Sequence, residues 1–126
     1  MLMDGEVVRS FWPTIFDPWL FLTTDESELS LRCKEKGWQT LYVARALALH
    51  KGGRSTARVP AAAASYSARN WSYLSLRYVQ PRWMRALVVA RILTTAILKV
   101  AQGRAAVSLA LLRGIAAAMR RASIAR

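Results

Sequence analysis

Over the first two dozen residues the apolar side chains come in clumps: Val7-Val8, Phe11-Trp12, then Phe16, Trp19, Leu20 and Phe21. Pro13 and Pro18 bar a continuous helix, so residues 1–24 are expected to be extended, with aromatic rings in need of cover. At Asp25 the pattern changes. Asp25 is placed to cap a helix whose third residue on, Glu28, reaches back as in a capping box. Leu29, Leu31 and Cys33 follow, Glu28 meets Arg32 at i,i+4, and Gly37 supplies the stop. Residues 38–43 carry the β-branched and aromatic content of a strand, and residues 45–50 alternate small and apolar side chains as a second strand would. Residues 51–56, with Gly52-Gly53, are expected to be a turn or loop. From about Ala61 or Ser65 the period is helical, with breaks expected near Pro81 and Gly103. Within residues 82–102, Arg91, Thr95, Lys99 and Gln102 recur at i, i+4, i+8 and i+11. That spacing draws one narrow polar stripe on an otherwise apolar cylinder.

These elements describe an α/β chain: a short helix and two or so strands, then long C-terminal helices, mostly α by residue count. Residues 1–64 and residues 65–126 form its two expected parts. At 126 residues there is room for one small core.

Charge sharpens the division. All seven acids, Asp4 to Glu35, precede Lys36, whereas only Arg9, Arg32 and Lys34 of the nineteen basic residues do. The remaining sixteen cations have no acid after them in the chain, so an outside anion is implied: phospholipid headgroups, nucleic acid or a phosphorylated ligand. Arg91, Lys99 and Arg113 interrupt the apolar runs, which favours helices lying at the surface of a membrane over helices crossing it. The cations are spread through apolar helices and not gathered on one polar face, which argues against nucleic acid. One cysteine excludes an internal disulfide, and one histidine excludes a Cys/His zinc cluster. Residues 1–10 contain Asp4 and Glu6 and lack a basic start, unlike a signal peptide; a cytoplasmic location is expected.

Four pieces, in order, carry a family resemblance. Gly5 to Phe11 and Phe16-Asp17-Pro18-Trp19-Leu20-Phe21 come first. Asp25-Glu26-Ser27-Glu28-Leu29-Ser30-Leu31-Arg32, followed by Gly37-Trp38, comes second. His50-Lys51-Gly52-Gly53-Arg54-Ser55 is third, and Tyr66-Ser67-Ala68-Arg69-Asn70 is fourth. In this order they resemble the C-terminal catalytic half of bacterial family 2 glycosyltransferases of the rhamnosyltransferase-like kind. Residues 5–70 carry the likeness well and the later helices loosely. Glu26 and Glu28 stand where that family has aspartates, one methylene shorter in reach.

The resemblance implies a partial GT-A fold whose nucleotide-binding half, with its Asp-x-Asp metal site, is missing from these residues. It implies transfer of a sugar from a nucleotide-sugar donor to a lipid-linked or polysaccharide acceptor, with no activity from this fragment alone. Glu26 would be the base, with Asp25 beside it. His50 would give a nitrogen to Mg²⁺ or Mn²⁺, and Gly52 and Gly53 would let backbone approach the diphosphate with Arg54 or Ser55 contacting it. Trp19 and Arg69 complete the expected substrate-binding set. Location on the inner face of the membrane, as a peripheral protein, fits a lipid-linked acceptor. Plain alternatives stand beside these roles. Asp25 and Glu28 are good helix-start residues, His50 an ordinary strand end and Gly52-Gly53 a turn. Cys33 reads as a small buried hydrophobe. The competing whole-chain reading is a basic helical protein without catalytic activity, binding a membrane surface or nucleic acid.

Overall fold

The computed structural model describes residues 3–49 and 56–124. They form five helices: α1 (Gly5–Phe11), α2 (Asp25–Glu35), α3 (Pro60–Tyr78), α4 (Arg82–Ala101) and α5 (Ala105–Ile124). Single 3-10 turns lie at Pro18–Leu20 and Thr56–Arg58. Among the described residues there is no strand, so the expected α/β class, with its partial GT-A fold, is corrected to an all-helical one.

The reason is a lack of pairing. A strand is stable only when its amides and carbonyls meet a neighbour's, and β-rich composition cannot supply one. Residues 38–49 are irregular, and Leu41, Tyr42, Leu47 and Leu49 project into solvent. The second expected strand ends at His50, which lies outside the described residues.

The N-terminal expectation is corrected too. Asp4 accepts a hydrogen bond from the Glu6 amide at 2.7 Å and caps α1, two turns that finish before Pro13. Val7, at one end of an i,i+4 pair with Phe11, is buried against Leu29 and Cys33 of α2, and Phe11, Ile15 and Trp38 close over them. The prolines exclude helix only from Trp12 onward.

Helix α2 begins where the acids predict it but is not capped by them. Thr24 is the cap residue, in the left-handed region at φ 67° and without a capping side-chain bond, and Asp25 opens the helix proper. The expected capping box is therefore absent. Glu28 turns inward to its other expected partner, with Arg32 Nε donating to its carboxylate at 2.7 Å. Gly37, at φ 83°, ends the helix: the amides of Gly37 and Trp38 reach back to the carbonyls of Lys34 and Cys33. Gly103 ends α4 in the same way, its amide and that of Arg104 donating to Val100 and Lys99.

Pro60 takes the first position of α3, where its missing amide costs nothing. Ala68 packs with Leu111, and Tyr73 and Leu74 with Ala118, so α3 and α5 run parallel. Helix α4 returns alongside them, touching the Ala68 and Leu111 cluster through Ala96 and Ile92. Gly114 sets the α3 to α5 spacing. A Cβ there would overlap the Ser65 carbonyl oxygen and lie 2.9 Å from the Arg69 amide nitrogen. Helix α3 runs through residues 64 and 65, and Leu20 of the N-terminal region is buried with Tyr73, Leu74 and Ala118.

Candidate functional site

Asn70 is wholly buried on α3 and acts as a clamp. Its amide nitrogen donates to the carbonyl oxygens of Thr23 at 2.7 Å and Phe21 at 3.3 Å, and its own oxygen accepts from Arg69 Nε at 3.0 Å. Arg69 Nη2 donates to the Trp19 carbonyl. The Arg69 guanidinium lies over the Trp19 ring at 4.2 Å and over Tyr66 at 4.7 Å. Two of the segments singled out in the sequence, residues 16–21 and 66–70, are thus brought together by adjacent side chains of one helix.

From α5 a second arginine joins them. Arg121 Nη2 donates to Asp17 Oδ2 at 2.7 Å, and its guanidinium lies 4.6 Å from the Trp19 ring and 5.4 Å from Tyr73. The other Asp17 oxygen accepts from the Trp19 amide at 2.9 Å and so starts the 3-10 turn that presents the indole. Trp19 meets Tyr73 edge-on at 5.1 Å. Burial pulls the Arg69 guanidinium below its ordinary value, and Arg121 acts in the same direction; Tyr66 and Asp17 oppose them.

From Asn70's first carbonyl partner, Phe21, to the first turn of α2 the backbone is strained. Leu22 (φ 83°) and Thr24 (φ 67°) both occupy the left-handed region, which side chains disfavour by about 1–3 kcal/mol per residue. The Asn70 bonds hold this segment in place. Directly after it, Asp25 is half-buried and Glu26 exposed. Glu28 faces the interior, only 2% exposed, and accepts from the Tyr78 hydroxyl at 3.0 Å. Burial first and then the Glu28 charge push the Tyr78 phenol well above its usual range.

Two open cavities flank α3. One, of ≈ 620 Å³, lies at the C-terminal ends of α3 and α5 and is lined by Trp19, Tyr73, Arg77, Arg120 and Arg121. The other, ≈ 400 Å³, lies between α3 and α4 and is mainly apolar; Arg91 and Thr95, two members of the polar stripe, line it with Trp71.

Of the expected site residues, Trp19 and Arg69 come into direct contact, and Asp25 and Glu26 begin the helix that follows the clamped segment. His50, Gly52, Gly53, Arg54 and Ser55 lie outside the described residues. Among the described residues no three His, Cys, Asp or Glu side chains converge to hold a metal ion, and His50, the ligand that the resemblance implies for Mg²⁺ or Mn²⁺, lies outside them. Tyr73 and Arg121 carried no signal in the sequence, and Asp17 was visible within its motif but without its partner: the Asp17 to Arg121 pair spans 104 positions. Asn70 was visible within its motif, but only packing shows it to be a clamp.

Among the described residues no helix is long and apolar enough to cross a membrane. No family model matches the chain, and comparison with curated proteins and with solved structures yields no match. The described residues form an all-helical fold with an arginine and aromatic cluster joining the N-terminal segment to α3 and α5.

Proposed function

We propose that this chain supplies the acceptor-side carboxylate of a nucleotide-sugar-dependent glycosyltransferase acting on a lipid-linked or polysaccharide acceptor. The observation that carries the reading is the junction of the Asp17-Trp19 and Arg69-Asn70 segments just ahead of the Asp25-Glu26 pair. These are pieces of the ordered family likeness, and the strained backbone at Leu22 and Thr24 lies between them and the acids, as strain often does at working sites. Glu26, exposed on the first turn of α2, takes the proton of the acceptor hydroxyl. That oxygen then bonds to the anomeric carbon as the carbon's bond to the nucleoside diphosphate breaks. No Asp-x-Asp occurs in the 126 residues, so transfer depends on a nucleotide-binding portion supplied from outside them.

Supplying that portion by co-expression is the test. Transfer from a nucleotide sugar is expected only with both parts present, and Glu26→Gln is expected to lower it about 100-fold or more. Transfer unaffected by Glu26→Gln and by Asp25→Asn overturns the role of the carboxylates. Sugar transfer by the 126 residues alone overturns the dependence on a second portion.

The outward face of α4 favours a further, compatible reading: peripheral attachment to the anionic inner face of a membrane. Trp83, Leu87, Ile97 and Leu98 are all exposed there, beside Arg82 and Arg91. Apolar area with a basic border suits a headgroup layer. Flotation with phosphatidylglycerol vesicles but not phosphatidylcholine vesicles is expected. Steeply salt-dependent binding to DNA, with no flotation, supports the nucleic-acid alternative and excludes this one.

A further inference from the structure

The parallel course of α3 and α5 brings their C-terminal turns side by side, with Arg77 in the last turn of one and Arg121 in the last turn of the other. Cations at such ends are ordinary, because they offset the negative pole of the helix. Their convergence on one open cleft with aromatic walls is not explained by that. Arg77, Arg120 and Arg121 line the ≈ 620 Å³ space beside Trp19 and Tyr73, and Arg69 stands behind the same indole. The acids that act on this cluster are Asp17, bonded to Arg121, and Glu35, which acts on Arg77 through space. Three guanidiniums thus line the cleft, and one of them, Arg121, is paired with a carboxylate.

The guanidiniums are held, not waving. Arg77 Nη1 donates to the Tyr73 hydroxyl at 3.2 Å, and its guanidinium lies 5.1 Å from the Tyr78 ring. Arg121 is braced by Asp17 and by two aromatic rings. Each guanidinium has five donors in a planar fork, so most remain for a ligand after these bonds. Arg120 has an exposed side chain on the same rim. A planar fork matches the oxygens of a phosphoryl group two at a time.

We infer that this cleft is a binding site for a phosphoryl or diphosphoryl group, with Arg77, Arg120 and Arg121 as its donors and Trp19 and Tyr73 as its wall. A soluble diphosphate and the headgroup phosphate of a lipid share this chemistry. Binding in this cleft is independent of sugar transfer: its ligand is measured without a sugar donor, so either can fail alone.

The test is calorimetric titration of the whole chain with inorganic pyrophosphate at low salt, with Arg77→Gln, Arg120→Gln and, as a control, Arg113→Gln on the exposed face of α5. Circular dichroism checks that each variant keeps its helices. Saturable binding is expected, weakened about tenfold by either cleft substitution and hardly changed by the control. No saturable binding, or equal weakening by Arg113→Gln, overturns the site and leaves only diffuse attraction to a cationic protein. Competition by phosphatidic acid vesicles, with the same pattern among the variants, identifies the ligand as a lipid headgroup phosphate. Vesicles that leave pyrophosphate binding unchanged identify it as a soluble diphosphate. Arg120→Gln keeps the test sound if Arg77→Gln disturbs Tyr73, because Arg120 is exposed.

Discussion

Helices α4 and α5 are each 20 residues long, apolar in the main and free of acids, yet they are used in opposite ways. Helix α5 buries Ser108, Leu111, Gly114, Ile115 and Ala118, whereas α4 buries Ala96 alone. Hydropathy does not separate them; side-chain volume along one stripe does. Small residues at 108, 114 and 118 let the α5 backbone approach α3 until a Cβ at position 114 would lie 3.0 Å from that of Ala68. On α4 the bulky residues Trp83, Leu87, Ile97 and Leu98 stay outside, and its small residue at 96 makes the contact. Close packing rewards matched surfaces, and an apolar helix without a matching face remains on the surface.

The largest test of this contrast is Gly114→Val. It inserts atoms where the α3 backbone already lies, and it is expected to cost about 3 kcal/mol in urea unfolding followed by circular dichroism. Ala90→Val, at an exposed position of α4, is expected to change stability by no more than about 0.5 kcal/mol. Equal losses would mean that the α3 to α5 crossing is not the tight one.

Asn70→Ala probes the other side of α3. It leaves the part-buried carbonyls of Phe21 and Thr23 without their donor, for an expected loss of about 1–2 kcal/mol and faster proteolysis before α2. Arg121→Gln removes an ion pair that is partly open to water, so a loss below about 1 kcal/mol is expected. The smallest change in stability, within about 0.5 kcal/mol, is expected for Leu87→Ser with Ile97→Ser on α4. That double variant is nonetheless expected to lose flotation with anionic vesicles, and unchanged flotation would remove α4 as the attachment surface.

The stops and starts of the helices were legible wherever a local cause sets them. Gly37 and Gly103 end helices by adopting positive φ, Glu28 pairs with Arg32 one turn away, and α2 begins at the acids. The capping box failed because Glu28 gains more from Arg32 and Tyr78 inside than from the helix start, and Tyr78 is 50 positions distant. Strands at 38–43 and 45–50 were read from composition, but pairing partners are a property of the whole fold. At the candidate site, Trp19 and Arg69 were chosen separately and proved to touch. The arginines of the cleft could not be grouped from the sequence, since Arg77 and Arg121 meet only because α3 and α5 run parallel.

Residue chemistry by itself sets the acid-free, arginine-rich character of the chain after Glu35 and the two breaks between its last three helices, because charge and glycine or proline effects act locally. Which apolar face is covered, which carboxylate turns inward and which arginines share a cleft were decided by the approach of α5 to α3. Those outcomes depend on the volume and position of side chains far apart in sequence, and no local pattern encodes them.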